Sequence, residues 1–222
     1  MKNMLKIMAQ RLEAGEALVL VTVIASSGAT PRGAGARMLV GKEGRICGTI
    51  GGGAVEYRSG QIAARVLEEQ TSLGHDFTLT KDDVQNLGMI CGGACNVFFH
   101  YIPAGDTHTI RLCAEAEEQF RRGSALWLLT RVGETGQMGL YGHDLGYWGI
   151  PVSEPLPLSR HPQRIGDIFA EQINAPGRVY VFGGGHVAQE LVPVLSHVGF
   201  RCVVMMTGRN LPDPNCSPAR RK

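Results

Sequence analysis

No stretch of this 222-residue chain carries a dense stripe of lysine or arginine, and 22 basic against 20 acidic residues leave a formal net charge of +2. Binding along a phosphate backbone needs a basic face, so no nucleic-acid partner is expected. The short basic end Arg220-Arg221-Lys222 reads as a solvated tail. Long apolar runs are missing as well. The longest, Ala17 to Ala25, is far too short to cross a bilayer. Arg11, Glu13 and Glu16 ahead of it do not suit a signal peptide. The expectation is a cytoplasmic chain with no membrane partner, whose 6 cysteines are thiols rather than disulfides. No CxxC pair occurs, and Cys91 and Cys95 lack the histidine or second cysteine pair that would complete a zinc site. There is no internal repeat and no low-complexity tract. A hydrophobic content of 44% is that of a chain able to bury a core.

Glycine, by contrast, is plentiful at 30 residues, and the N-terminal half gathers it into three turns beside basic or thiol side chains. They are Thr30-Pro31-Arg32-Gly33-Ala34-Gly35-Ala36-Arg37, Gly51-Gly52-Gly53 and Cys91-Gly92-Gly93. Glycine permits positive φ and lets a ligand approach bare N–H groups. Consecutive turn amides make an anion-binding concavity, to which Arg32 and Arg37 would add charge-assisted donors. The Cys91 thiolate can hold a metal or carry sulfur. Together these residues suit a large phosphorylated ligand. The alternative is three unrelated tight turns, with Arg32 and Arg37 as solvated loop ends and Cys91 as a small buried hydrophobe.

Hydrophobic spacing predicts a helix through Met4, Leu5, Met8 and Leu12 and a buried strand from Ala17 to Ser26. Arg37 to Gly41 and Arg45 to Ile50 read as a hairpin, and Ala54 to Glu69 as a helix with Val55, Ile62 and Val66 inward. Further strands are expected at Phe77 to Thr80 and Asn96 to Tyr101, then a helix from Asp106 to Arg121 and a hairpin from Ala125 to Tyr141. Cys47, inside a strand, reads as core, and Cys95 as structural. Pro151, Pro155, Pro157, Pro162 and Pro176 mark residues 151–176 as a linker with at most a short helix around Gly166 to Ile173.

After that linker, Arg178 to Phe182 reads as a strand, followed by Gly183-Gly184-Gly185-His186-Val187-Ala188, a helix and a second strand from Cys202. Gly183, Gly185 and Ala188 fill the slots of a dinucleotide-binding βαβ fingerprint. His186 reads as a polar first-turn residue. The second strand ends Met205-Met206-Thr207, without the acidic residue that normally meets the ribose. Met206 onward can be back-translated so that the frame starting at the last base of the Met205 codon gives DDRPEF, restoring an acidic pair. The expectation is a one-nucleotide deletion near Met206, with 207–222 an out-of-frame disordered tail. The alternative is a natural short chain whose half-domain is completed by a partner or by swapping. Val187, Leu191, Val194, Leu195 and Val198 then form an apolar face without sheet partners, which favours self-association into a homo-oligomer.

The strings VIASSGATPRGAGARMLV, GTIGGGAVEY and LGMICGGACNVFF closely resemble the xanthine dehydrogenase accessory factor family, XdhC/CoxI. RVYVFGGGHVAQELVPVLSHVGF resembles the start of that family's C-terminal Rossmann domain. The resemblance implies an α/β fold: a mixed α+β domain over residues 1–150, the linker at 151–176, and an incomplete Rossmann-like βαβ fragment over 177–206. It also implies a cytosolic maturation factor, not a catalyst, that binds the molybdenum cofactor (molybdopterin or its dinucleotide form) and assists its sulfuration. The partners implied are an apo molybdenum hydroxylase and a cysteine desulfurase. By the resemblance, Arg32, Gly33, Gly35, Arg37, Gly51, Gly52, Gly53, Gly92 and Gly93 hold the cofactor, and Cys91 is its metal ligand or sulfur relay. Glu56 bonds the pterin ring or merely faces solvent, and Ser26 and Ser27 add hydroxyl donors or simply shape the turn. Gly183 and Gly185 would serve a nucleotide. Two other readings stay open: an NAD(P)-binding oxidoreductase, and an inactive truncated remnant.

Overall fold

The computed structural model describes residues 1–28, 30, 32–78, 93–173, 178–198 and 200–206. Cys91, Gly92, Pro31 and the tail 207–222 lie outside the described residues. The chain divides into two units, residues 1–174 and 175–222.

In the first unit, helix α1 (Lys2–Glu13) buries Met4, Leu5, Met8 and Leu12, the stripe that helical spacing predicts. Strands β1 (Leu18–Ser27), β2 (Arg37–Gly41), β3 (Gly44–Thr49), β4 (Leu73–Thr78) and β5 (Ala94–Ile102) form an antiparallel sheet in the order β3-β2-β1-β5-β4. Helix α2 (Gly53–Glu69) covers one face. Its Val55, Ile62, Ala63 and Val66 pack on Val19, Val21, Val23, Met38 and Val40, which alternate along β1 and β2. Helix α3 (Thr107–Arg122) starts at Asp106, whose carboxylate accepts from the His108 and Thr109 amides, and ends on Gly123 at φ 77.

A second antiparallel sheet runs in the order β8-β7-β6-β10-β9. Its strands are β6 (Leu126–Arg131), β7 (Gln137–Gly142), β8 (Gly146–Trp148), β9 (Gln163–Ile165) and β10 (Ile168–Gln172). Here the structure corrects the expectation of a linker with a short helix around Gly166 to Ile173. Residues 163–172 are a β-hairpin whose turn opens on Gly166 at φ 60. Pro151, Pro155, Pro157 and Pro162 all precede it, so no ladder donor is lost inside it. Its β10 alternates: Ile168 and Ala170 join a cluster with Leu129 and Ile150, while Phe169 turns to the first sheet and packs with Ile24 and Phe98.

The second unit is a parallel pair, β11 (Arg178–Phe182) and β12 (Arg201–Met205), connected by helix α4 (His186–His197). It is the expected Rossmann-like βαβ fragment. Gly183 takes φ 102, and buried Ala188 lets the helix sit close to the strands. Much of its apolar surface is open: Phe182 is 80% exposed and Val187 81%.

Phe169 is fully buried and packs the second sheet on the first through Ile24 and Phe98. Phe169→Ala is expected to cost roughly 3–5 kcal/mol of stability, measured by chemical denaturation. A loss below about 1 kcal/mol would contradict this packing.

Candidate functional site

Strand direction decides where the glycine turns go. In the first sheet Thr22 pairs with Arg37 and Arg37 with Thr49, while Ser27 pairs with Ala94 and Ala94 with Thr78. The β1–β2 loop, the turn after β3 and the start of β5 therefore share one end of one sheet. Gly93, just before β5, belongs to this end. They are not level. Beyond Thr22, β1 continues to Ser27, so the loop and the β5 start stand on the order of 15 Å further out than the turn.

The Gly51-Gly52-Gly53 turn takes φ 129, 77 and 61, a run that only glycine adopts without strain. Its amides do form a concavity, but the chain fills it. Glu56 Oε2 accepts from the amides of Ile50 and Gly52, both at 3.1 Å, and from Thr49 Oγ1 at 2.5 Å. Its Oε1 meets Arg45 Nη1 at 2.5 Å. The Gly51 amide donates to Thr49 Oγ1 at 3.1 Å. Burial pushes the Glu56 pKa up, yet the three hydrogen bonds and the Arg45 charge more than offset it and hold the carboxyl below its ordinary value. Glu56 is thus neither a solvent-facing residue nor a free ligand for a ring: it is the anion in this nest.

Arg37 also departs from expectation. Buried on β2, its guanidinium forms an ion pair with Glu171 of β10 and donates through Nη1 to Met1 Sδ at 3.0 Å. Burial lowers its pKa to about 10. It is not a free phosphate donor, because a buried carboxylate already claims it. The Gly35 amide donates to the Val23 carbonyl at 2.8 Å, so it too serves the loop itself. At the outer level of this end, Arg32, Ser26, Ser27 and Gly33 are all exposed. A Cβ on Gly33 would meet only Ser26 Oγ, at 3.8 Å, leaving room for close approach. Arg32 and the hydroxyls suit the phosphate end of the implied cofactor; the Gly51–Gly53 nest does not, being occupied by a carboxylate. Among the other thiols, burial pushes Cys113 up to about 12 and raises Cys95. Cys95 is core, as expected, while Cys47 is only half-buried.

Sequence reasoning missed a polar cavity of about 400 Å³ lined by His100, Asp106, His108, Thr109, Thr135 and Gln137, among others. His108 Nε2 donates to the Met138 carbonyl at 2.7 Å. His100 lies on a buried strand, and its Nδ1 meets no partner among the described residues. Burial lowers its pKa to about 4, with Asp106 opposing and His108 reinforcing. A lone histidine in an apolar strand gives no sequence signal of this kind.

Two outcomes follow from these environments. Glu56→Ala strands the Ile50 and Gly52 amides and is expected to cost roughly 1–3 kcal/mol in chemical denaturation; an unchanged midpoint would show that water replaces the carboxylate. His100 is neutral when folded but takes a proton near pH 6.5 when unfolded. Its contribution is fully present above pH 6.5 and is lost as the pH falls toward about 4. The melting temperature of His100→Gln is therefore expected to fall less steeply than that of the parent across this window. Parallel profiles would contradict it.

A family model described as the XdhC and CoxI family matches residues 11–78, the span holding the β1–β2 loop and the Gly51–Gly53 turn. The chain is 25% identical over 209 residues to a probable xanthine dehydrogenase subunit of Bacillus subtilis (strain 168), covering 87% of this chain and 60% of that protein. It is 35% identical over 79 residues to the uncharacterized protein YqeB of Escherichia coli (strain K12), or 36% of this chain and 14% of that protein. The fold matches a crystal structure described as a xanthine dehydrogenase from Bacillus halodurans, with a TM-score of 0.72 and 21% identity over 91% of this chain and 61% of that one. The chain thus spans about three fifths of the length of these two Bacillus relatives. The likeness to the XdhC and CoxI family thus rests on residues 11–78 and the motifs they carry.

Proposed function

We propose that this chain serves the maturation of a molybdenum hydroxylase, holding the molybdenum cofactor at the outer end of the first sheet for delivery to the apo-enzyme. The observation that carries the reading is the gathering of the β1–β2 loop and the start of β5 at that end, the loop inside the segment matched by the family model and the start of β5 paired with its strands. Arg32, with the hydroxyls of Ser26 and Ser27, would hold the cofactor's phosphate or pyrophosphate. Gly33 would let the ligand approach the backbone. Cys91, with Gly92 and Gly93, would serve the molybdenum end as ligand or sulfur relay. When bound, the cofactor supplies the metal centre that the hydroxylase needs. A cysteine desulfurase is the sulfur donor this reading requires. The names of the Bacillus relatives, both tied to xanthine dehydrogenase, support a hydroxylase of that kind as the partner.

The βαβ unit favours a second reading, an NAD(P)-binding role through Gly183 and Gly185. Its second strand, however, ends on Met205 and Met206 without a ribose-binding carboxylate.

Arg32→Ala is expected to lower molybdopterin retention by about tenfold, the worth of one charge-assisted contact. Cys91→Ala is expected to retain cofactor less well or to abolish activation of an apo molybdenum hydroxylase. Retention and activation equal to the parent in both variants would overturn the reading. Under it, millimolar NAD(H) leaves the melting temperature unchanged; a clear rise would favour the second reading instead.

A further inference from the structure

The β1–β2 loop is held from outside its own sheet. Arg37, the first residue of β2 and the first after the loop, pairs its guanidinium with Glu171 of β10, and both side chains are buried. The other Glu171 oxygen lies beside the loop itself. A Cβ built on Gly35, which sits at φ 90, would be 3.1 Å from Glu171 Oε2 and 3.1 Å from Pro162 Cγ. Ala34 packs on the cluster of Ile24, Phe98 and Phe169, the last of these two residues before Glu171 on β10. A single strand of the second sheet thus touches the loop by charge, by close backbone approach and by apolar packing.

Such a pair is a poor source of stability. Two charges taken out of water lose hydration that their attraction barely repays, and apolar replacements of similar volume are often neutral. Arg37 adds to the cost, since neither its Nε nor its Nη2 makes a hydrogen bond among the described residues, Nη2 meeting Glu171 only as an ion pair. What an ion pair supplies that an apolar contact lacks is selectivity for one partner. Away from Glu171, Arg37 would be an unpaired buried charge, so one placement of the two elements is favoured.

We infer that Arg37 and Glu171 are positioning residues: their buried ion pair fixes the Ala34–Ala36 stretch before β2 against β10, so that Arg32 and the neighbouring hydroxyls are preorganised for an anionic ligand. This rests on the reading of that loop as the anion-holding element. Neither side chain touches the ligand. The second sheet acts through them as the loop's template, and ligand affinity drops when the template is released even if the fold survives.

The test uses the full chain and the double variant Arg37→Met/Glu171→Leu, which removes both buried charges together. Its melting temperature is expected to stay close to the parent's. The backbone amide resonances of Ser26, Ser27, Arg32 and Gly33 are expected to shift or broaden without ligand, and molybdopterin retention to fall about tenfold. A folded double variant with parental loop resonances and parental retention would overturn the inference. Should the double variant fail to fold, Gly35→Ala leaves both charges in place and wedges the loop away from Glu171 and Pro162. The same loop shifts and loss of retention are expected, and unchanged values would overturn the inference. A parent that retains no molybdopterin would count against the maturation function alone, because the loop resonances of ligand-free protein still decide the positioning role.

Discussion

Antiparallel pairing leaves a chain little choice about where its connections fall. Once β1 is set between β2 and β5, the start of β2, the end of β3 and the start of β5 must all lie toward the C-terminal end of β1. A slip of one residue would turn Val19, Val21 and Val23 away from α2 and expose them. The register is therefore held by the burial of that core, and the position of the glycine turns is a consequence of it. This constraint sets three separate stretches of sequence along one stepped rim, with the Gly51–Gly53 turn lower than the other two.

Within the rim, the local chemistry differs from one turn to the next. At Gly51–Gly53 the chain supplies its own anion: Glu56 reaches back from α2 and satisfies amides that would otherwise face water or a ligand. A carboxylate at a helix start also opposes the positive end of the helix dipole, so the arrangement stabilises the turn and α2 together. At the β1–β2 loop the cation nearest the sheet is consumed by Glu171, and the one further out, Arg32, is left to solvent. Two arginines in the same motif thus have opposite fates, one internal and one outward.

The helices and the first sheet were legible in the sequence because their signals are short-ranged. The spacing of Met4, Met8 and Leu12, and the alternation along β1 and β2, point directly at a buried face. The βαβ unit was legible for the same reason, its glycines lying between two apolar strands. The β9–β10 hairpin was hidden by the prolines before it, although Gly166-Asp167 between apolar residues was a usable turn signal. The partners of Glu56 and Arg37 were not legible. Glu56 looked like any first-turn acid, and Arg37 finds its carboxylate across most of the chain, where no local pattern can reach. The His100 cavity stayed hidden because it is assembled from β5, α3 and the β6–β7 turn.

The account stands or falls on where the cofactor binds. Backbone amide resonances of the full chain, followed while molybdopterin is added, measure this most directly. Shifts concentrated at Ser26, Ser27, Arg32, Gly33 and Gly93 would place the ligand on the outer rim of the first sheet, as the account predicts. Saturable shifts confined to the second sheet or to the βαβ unit, with those residues unmoved, would contradict it.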